Sequence, residues 1–282
     1  MLYKILLSCV AYIGTKELVD CATDGFSLSK IQKPVTWDQT LLADPPGVEV
    51  AHILDQPFHY LASGHECFAF ASEDGRFILK FFKLQPLRFT YFRDALKSGE
   101  ELPFFQKLIT AHKDRLQRTF SSCKIAYDLL KEETGLLYFH HNPIDSFCKL
   151  VTITDPSGIA HRINLNTTPF ILQKRAELAY PYLLSSDQKR GEELIDSLFA
   201  LIEARREKGI MDRDPAIYKN FGYDGERLIE IDVGSFSINE TDFTETLKLE
   251  MDEFYNFLKN NRPELALYLK EKIFLTNSSF VK

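Results

Sequence analysis

The stretch Gly209-Ile-Met-Asp-Arg-Asp-Pro-Ala-Ile-Tyr-Lys-Asn220, followed by Ile229-Glu-Ile-Asp232-Val-Gly234, is the most informative part of this chain for its fold. It combines two acids, an asparagine and an Asp-x-Gly turn in a strand–loop–strand pattern. Taken singly, an acid could cap a helix and the asparagine could form a turn. As an ordered set, these residues suit a site that holds a metal-bound nucleotide and deprotonates an alcohol.

The composition indicates a folded protein with ample material for a core. The chain has 282 residues, a formal net charge of -6 and 45% hydrophobic residues, including 23 Phe and 12 Tyr. This length suits one large domain or two lobes, and the aromatic content argues against disorder. The mildly acidic balance lacks the basic character typical of general nucleic-acid binding. The five cysteines are scattered without metal-ligand spacing, which favours free thiols over a disulfide framework.

The N-terminus leaves the localisation open between cytoplasmic and secreted, including export as a bacterial effector. Lys4 precedes the apolar run from Ile5 to Gly14, which fits a weak secretory signal or an ordinary first strand or helix. Leu6-Leu-Ser-Cys9 is similar to a lipoprotein cleavage box that would anchor the chain, but it lies very close to the start. No later run approaches the roughly 18 apolar residues that span a membrane.

The first half of the chain predicts a sheet and one main helix. A loop-rich segment to about residue 55 precedes two apolar runs, residues 59–72 and 77–83, which flank an Asp-Gly turn in a pattern typical of a β-hairpin. Lys80 lies inside the second run, so its ammonium group must be paired or face a cleft, because burying it alone is costly. Lys83 is expected at a solvated strand end.

Helical periodicity extends from about residue 104 to 133, and Gly135 is suited to end that helix. Pro181 is expected to break the pattern that follows the sheet. The remaining strands of this half are predicted at residues 136–140, 149–154, 159–165 and 168–174. Three histidines without metal-ligand spacing are expected to be structural: His140, His141 and His161.

The second half is predicted to be mainly helical. An apolar stripe from Leu194 to Ile202 predicts a helix that ends at Gly209. After the Asp-Arg-Asp loop, residues 221–231 have the pattern of a hairpin that leads into Asp232. Two more helices are predicted near residues 243–259 and 263–274, the latter starting with a proline.

From about residue 58 to 237 the chain resembles a divergent member of the protein-kinase-like superfamily. Leu61-Ala-Ser-Gly64-His-Glu-Cys-Phe-Ala69 resembles the glycine-rich loop, of which it keeps the middle glycine. Phe77-Ile-Leu-Lys80 resembles the Val-Ala-Ile-Lys strand. The strand Phe170 to Lys174, followed by Arg175-Ala176-Glu177-Leu178, resembles the last sheet strand and the hinge.

The catalytic motifs of that superfamily have counterparts further along. Asp212-Arg213-Asp214 resembles His-Arg-Asp, with Asp in place of His. Asn220 resembles the metal-binding asparagine, although it follows Asp214 by six residues where the family pattern has five. Asp232-Val-Gly234 resembles Asp-Phe-Gly.

The resemblance implies an α+β protein with a two-lobed, protein-kinase-like fold. Its N-lobe would combine an antiparallel sheet with a helix, and its C-lobe would be mainly helical. Only 48 residues follow Gly234 and no Ala-Pro-Glu motif is present, so the C-lobe is expected to be reduced. The expected division is an N-terminal extension at residues 1–55, an N-lobe at 56–178 and a C-lobe at 179–282.

The resemblance also implies an ATP- and Mg²⁺-dependent phosphotransferase that acts on a hydroxyl of a protein or a small molecule. Lys80 would contact the α- and β-phosphates, and Asp214 would orient and deprotonate the acceptor hydroxyl. Arg213 would brace the loop, and Asp212 is a rival base because of the extra residue before Asn220. The other implied site residues are Gly64 and Glu177 for the nucleotide, and Asn220 and Asp232 for the metal.

Other interpretations stay open beside this one. The glycine-poor loop and the extra residue before Asn220 also fit a pseudokinase that acts as a binding module. Asp212-Arg-Asp214 fits the Asp-x-Asp loop with which many glycosyltransferases hold a metal and a nucleotide sugar, although this leaves Lys80 and Asp232 unexplained. The acidic partner of Lys80 is also open among three residues: Asp128, Glu132 and Glu133.

Overall fold

The computed structural model describes residues 19–32, 45–84, 103–142, 149–238 and 244–280. The apolar N-terminal run, with its possible signal or anchor, lies outside these residues. The chain divides into two compact units, one formed by residues 1–117 and 137–173 and the other by residues 118–136 and 174–282.

The first unit is built around a sheet. Its predicted loop-rich lead-in contains short helices, and residues 19–22 are helical as well. The elements that lie wholly or almost wholly in this unit are α1 (Leu28–Ile31), α2 (Val48–Ile53), β1 (Phe58–Ser63), β2 (Cys67–Ser72), β3 (Phe77–Phe82), β4 (Leu136–His140), β5 (Leu150–Thr154), β6 (Ala160–Asn164) and β7 (Phe170–Lys174).

These strands form one seven-stranded sheet in the order β4-β7-β3-β2-β1-β5-β6. The hairpin predicted at the Asp-Gly turn is confirmed, since β2 and β3 pair antiparallel. The strand β1 also pairs antiparallel with β2, and β5 pairs antiparallel with β6. The expectation of a purely antiparallel sheet is wrong, because β1 and β5 pair parallel. A parallel pair needs a long crossover connection, and the many residues between β1 and β5 supply one.

The second unit is mainly helical, with short ladders between its helices. The helix α3 begins in the first unit and continues into this one at residue 118. The elements are α3 (Pro103–Leu129), α4 (Lys131–Thr134), β8 (Glu177–Leu178), α5 (Ala179–Ser185), α6 (Gln188–Glu207), β9 (Ile210–Asp212), α7 (Ile217–Asn220), β10 (Phe221–Tyr223), β11 (Leu228–Glu230), β12 (Phe236–Ile238), α8 (Thr244–Asn261) and α9 (Pro263–Phe280).

The core of the second unit is a cluster in which α6 packs with α8 and α9. Its largest fully buried side chains include Phe221 and Phe254, and Leu198 of α6 is also inaccessible. The helix α6 starts at a cap in which a carboxylate oxygen of Asp187 accepts the backbone N–H of Arg190 at 2.9 Å. It ends before Gly209, whose φ of 65° matches the predicted stop.

Two local predictions need correction. Pro181 does not break the chain pattern, because it lies in the first turn of α5, where its missing N–H has no helical partner to lose. The predicted helix that ends near residue 133 is divided at Leu130 into α3 and α4. Gly135 then closes it with a φ of 61°, and a Cβ there would approach the side chain of Ile229 to 2.8 Å.

Candidate functional site

Two short ladders in the second unit gather the acidic residues that the sequence singles out. In the β9–β12 ladder Asp212 lies opposite Phe236. Because these strands are antiparallel, the loop after Asp212 and the turn before Phe236 leave the ladder at the same end. The Asp-Arg-Asp loop and the Asp-Val-Gly turn are therefore neighbours in space.

A second ladder brings the two candidate metal ligands together. In the β10–β11 hairpin, the backbone N–H of Ile231 donates to the carbonyl oxygen of Asn220 at 2.7 Å. Asn220 therefore lies opposite the residue that precedes Asp232. Within the described residues, neither Oδ1 of Asn220 nor Oδ2 of Asp232 accepts a hydrogen bond, whereas Oδ1 of Asp232 accepts the N–H of Gly234 at 3.0 Å. Both candidate side chains thus have an oxygen that could face a hard cation.

Asp212 is buried and braces the loop that follows it. Only 4% of the residue is exposed. One carboxylate oxygen accepts the backbone N–H of Asp214 at 3.0 Å and the hydroxyl of Ser235, and the other lies 3.5 Å from Nη1 of Arg205. A buried, engaged carboxylate is poorly placed to meet a substrate. This geometry favours Asp214 over Asp212 as the base and gives the Asp-x-Asp metal loop no support.

Asp214 is exposed and lies beside Asn220. Its carbonyl oxygen accepts a hydrogen bond from the side-chain amide of Asn220. The extra residue between them is absorbed by α7, where the backbone N–H of Asn220 donates to the carbonyl of Ala216 at 2.9 Å. One helical turn thus shortens the path, so the longer spacing still brings the asparagine to the loop.

Lys219 is a site residue that the sequence analysis missed. Its ammonium group lies 2.8 Å from Oδ2 of Asp214. This hydrogen bond, together with the negative charges of Asp214 and Asp232, raises the pKa of Lys219. A single cation therefore interacts with both candidate acids. A lysine directly before Asn220 was the available sequence signal.

A buried ion pair between Arg205 and Glu230 lies beside Asp212. Nη1 of Arg205 on α6 contacts both carboxylate oxygens of Glu230 at 2.8 and 2.9 Å, and the two residues are 6% and 0% exposed. Buried charges of this kind require a partner. The sequence signals were an arginine on the apolar stripe of α6 and a glutamate in the strand Ile229-Glu-Ile231.

The Asp-Val-Gly turn is also held by the helix α3. The hydroxyl of Ser122 donates to the carbonyl oxygen of Val233 at 2.6 Å and accepts the backbone N–H of Phe236 at 2.6 Å. The thiol of Cys123 lies 3.8 Å from the same carbonyl. Ser122 is 1% exposed, so water does not compete for these bonds.

In the first unit, Lys80 stands at the end of a row of small side chains. The strand register places Ala62 of β1 opposite Ala69 of β2, and Ala69 opposite Lys80 of β3. Ala62 is exposed, and Ala69 and Lys80 are partly exposed. Two neighbouring methyl groups leave space on the sheet face beside the lysine.

Lys83 directly follows β3, and its side chain holds the turn between β1 and β2. Its ammonium group donates to Oγ of Ser63 at 2.8 Å and to the carbonyl of Gly64 at 2.5 Å, above the ring of Phe68. Burial lowers the pKa of Lys83, and the charge of Lys30 adds to the effect. The expectation of a solvated strand end is therefore wrong, because strand alternation turns this side chain onto the apolar Phe68 face.

The fold does not itself demand a glycine at position 64. Gly64 is absent from the positive-φ residues, and a Cβ built there would meet its nearest atom, the carbonyl oxygen of Cys67, at an ordinary 3.6 Å. A small residue at this turn is therefore free to serve close approach of another group.

The three acids considered as partners of Lys80 all engage other cations. Asp128 pairs with Lys124 at 2.8 Å, Glu132 pairs with Arg227, and Glu133 pairs with Lys208 at 2.7 Å. These ion pairs all lie within the second unit. Each of the three carboxylates thus has a cationic partner other than Lys80.

Two further predicted site residues are positioned by backbone pairing. Glu177 is exposed on β8, where it lies opposite Tyr223 of β10. Arg213 follows β9, and its backbone N–H donates to the carbonyl of Ser235 at 3.3 Å while Nε lies 3.4 Å from Oγ of Ser237. Arg213 therefore braces the Asp-Arg-Asp loop against β12.

The histidines have structural surroundings. The ring of His140 stacks on Phe170, and its Nε2 lies 3.0 Å from the carbonyl of Asn166. His161 lies 2.8 Å from a carboxylate oxygen of Asp155. In the part of the chain that the structure describes, no group of three or more His, Cys, Asp or Glu is arranged to hold a metal ion.

Among the described residues, every helix is too short or too polar to cross a bilayer.

Comparisons with known proteins reveal only distant likeness. No family model matches the chain, and no curated protein matches it. A crystal structure of WbdD is 14% identical with a TM-score of 0.37, covering 74% of this chain and 43% of that one. A structure of WbdD described as a bifunctional kinase-methyltransferase gives 15% and 0.36, covering 74% and 42%.

A structure of the Rv3197–erythromycin complex from Mycobacterium tuberculosis is 12% identical with a TM-score of 0.35, covering 80% of this chain and 56% of that one. The chain thus spans less than two thirds of the length of each of these proteins. One of them is a kinase by its description, but similarities of this size carry no argument about the fold or the activity of this chain.

Proposed function

We propose that the protein is an ATP- and Mg²⁺-dependent phosphotransferase of the protein-kinase-like type. The observation that carries the proposal is the grouping of Asp214, Asn220 and Asp232 in the second unit. Lys219 interacts with both acids, and the amide of Asn220 binds the carbonyl of Asp214. Phosphoryl transfer needs oxygen ligands for Mg²⁺ beside a carboxylate that orients the acceptor hydroxyl.

The donor set fits a nucleotide-bound magnesium ion. Asn220 and Asp232 would supply two oxygen ligands, and phosphate oxygens and water would complete the shell, as is usual for Mg²⁺. The ion would neutralise charge on the phosphates.

The residues of this chain then take distinct roles. Asp214 would accept the proton of the acceptor hydroxyl, while buried Asp212 would hold the backbone of Asp214 in place. Lys80 would contact the α- and β-phosphates, and the turn at Gly64 would approach them closely. Glu177 would contact the nucleotide from the hinge-like segment.

The acceptor is a hydroxyl of a protein or a small molecule. A pseudokinase remains the alternative that a specific observation favours, because Lys219 engages the carboxylate of Asp214 that would act as the base. Both interpretations require nucleotide binding, and only the first requires turnover.

The test combines binding and transfer. Purified protein with ATP and Mg²⁺ is expected to show a thermal shift that UDP-sugars do not produce, and to transfer labelled phosphate to itself or to generic acceptors. Asp232→Asn should lose the Mg²⁺-dependent shift, and Asp252→Asn, at an exposed position of α8, should keep it. Binding without transfer or hydrolysis would support the pseudokinase, and a shift with UDP-sugars alone would overturn the proposal.

A further inference from the structure

We infer that Ser122 is a positioning residue for the metal ligand Asp232, acting through a single buried hydroxyl that clamps both sides of the Asp-Val-Gly turn. This inference rests on the proposed function for the identity of the metal. Its geometry rests on the second unit alone, where α3 from residue 118, β12 and the turn all lie.

The clamp uses the donor and one acceptor site of a single hydroxyl. Ser122 Oγ donates to the carbonyl of Val233 and accepts the N–H of Phe236, each at 2.6 Å. A serine hydroxyl has one donor, and here the donor and one acceptor site are used on the same turn. The carbonyl of Val233 and the N–H of Phe236 lie on either side of Gly234-Ser235, so the hydroxyl fixes the distance between the two arms of the turn.

The environment makes these bonds costly to lose. Ser122 is 1% exposed, and Val233 and Phe236 are each 3% exposed. Removal of the hydroxyl would leave the N–H of Phe236 without this acceptor, and the carbonyl of Val233 with the weak thiol donor of Cys123 at 3.8 Å, in a place that water hardly reaches. The turn would then relax to find new partners, and its first residue, Asp232, would move with it.

The Asp-Arg-Asp loop also holds this turn, through Ser235. The hydroxyl of Ser235 donates to the carboxylate of Asp212, and the backbone N–H of Arg213 donates to the carbonyl of Ser235 at 3.3 Å. The turn is therefore held by two supports, the Asp-Arg-Asp loop and α3. Asp232 itself stays exposed between these supports. Replacing a group that orients a metal ligand commonly lowers metal affinity by about 10- to 100-fold.

Thr134 offers a matched control. Its buried hydroxyl donates to the carbonyl of Leu130 at 2.6 Å and accepts the N–H of Leu136 at 3.3 Å, in the same unit but away from the turn. Thr134→Val and Ser122→Ala each remove one buried hydroxyl. A merely structural loss should affect both variants alike, whereas a positioning role should separate them.

The experiment has two readouts on wild type, Ser122→Ala, Ser122→Thr and Thr134→Val. Amide hydrogen exchange without ligand should accelerate at Phe236 only in Ser122→Ala. The Mg²⁺ concentration for half-maximal thermal stabilisation in the presence of ATP should rise roughly tenfold in Ser122→Ala. Ser122→Thr, which keeps the hydroxyl, should restore both readouts toward wild type, and Thr134→Val should leave the Mg²⁺ midpoint unchanged.

The outcomes separate the two proposals. If wild type shows no Mg²⁺-dependent stabilisation, the proposed function is wrong and the metal role of Ser122 is wrong with it, while hydrogen exchange still decides whether the clamp exists. If wild type responds to Mg²⁺ and Ser122→Ala has the same midpoint, the positioning role alone is overturned. Equal acceleration of exchange in Ser122→Ala and Thr134→Val would overturn the clamp itself.

Discussion

The ammonium group of Lys219 donates a hydrogen bond of 2.8 Å to the carboxylate of Asp214, the proposed base. Its raised pKa reflects this bond and the nearby charge of Asp232. The chain thus supplies an internal cation where a metal and phosphates are proposed to bind.

Replacing Lys219 should strengthen the response to Mg²⁺. Exposed ion pairs contribute up to about 1 kcal/mol, so Lys219→Met is expected to lower the Mg²⁺ midpoint of ATP-dependent thermal stabilisation about fivefold. Lys189→Met serves as control, because the Lys189 side chain is 85% exposed on α6. An unchanged or higher midpoint in Lys219→Met would contradict this electrostatic role.

The two acids of the Asp-Arg-Asp loop should respond differently to neutralisation. Asp214→Asn should reduce the rate of phosphate transfer by roughly 10²- to 10⁴-fold while leaving the urea midpoint near wild type. Asp212→Asn should lower the free energy of unfolding by roughly 1–3 kcal/mol, because buried hydrogen bonds and the charge opposite Arg205 are weakened. Single-turnover kinetics and urea unfolding measure the two effects. The reverse pattern would make Asp212 the base.

The buried pair of Arg205 and Glu230 should be costly to break and less costly to remove. Arg205→Leu is expected to lower the free energy of unfolding by about 3–5 kcal/mol, because it leaves Glu230 and Asp212 without their cation. The double variant Arg205→Leu/Glu230→Leu should recover part of that loss. The adjacent Arg206→Leu, at a side chain that is 43% exposed, should have little effect in the same urea titration.

His140 should make stability depend on pH. Burial lowers its pKa to about 4 from the ordinary 6.5. His140 is therefore protonated below about pH 6.5 in the unfolded chain, whereas in the folded protein it stays neutral until the pH falls to about 4. The free energy of unfolding should fall by roughly 2–3 kcal/mol as the pH drops through this window. His140→Phe should flatten the slope, and His52→Gln, at an 89% exposed side chain, should not.

At Gly191, helix propensity and side-chain packing predict opposite effects of an alanine substitution. An alanine in the helix α6 should by itself stabilise the helix by about 1 kcal/mol relative to glycine. A Cβ at Gly191 would, however, approach the buried side chain of Leu265 to 2.5 Å. Gly191→Ala should therefore destabilise the protein by about 1–3 kcal/mol in urea unfolding. The double variant Gly191→Ala/Leu265→Ala should lose less than the two single losses added together.

Much of the secondary structure is readable from local patterns. The Asp-Gly turn predicts the β2–β3 hairpin, and the stripe that starts at Leu194 predicts α6 with its end near Gly209. These features depend on neighbours within a few residues, so the sequence contains their cause. The missed strand β12 has three residues, and so short a segment carries too few side chains for a periodic signal.

The candidate site was predictable in residue type and less so in geometry. The motif pattern singled out both Asp212 and Asp214. Only the structure shows that Asp212 is buried and supports the loop, whereas Asp214 is exposed. The motif comparison likewise marked the extra residue before Asn220 as a departure. The fold shows a helical turn, α7, that returns the amide to Asp214.

The sequence by itself determined the order of elements, the turns that need glycine and the presence of Asp214, Asn220 and Asp232. These follow from local sterics, periodicity and residue chemistry. The tertiary structure decided what each residue contacts: that Lys83 turns onto Phe68, and that Ser122 meets a turn more than a hundred residues away. Such contacts depend on which buried groups find partners when distant segments pack, and no local pattern along the chain encodes that pairing.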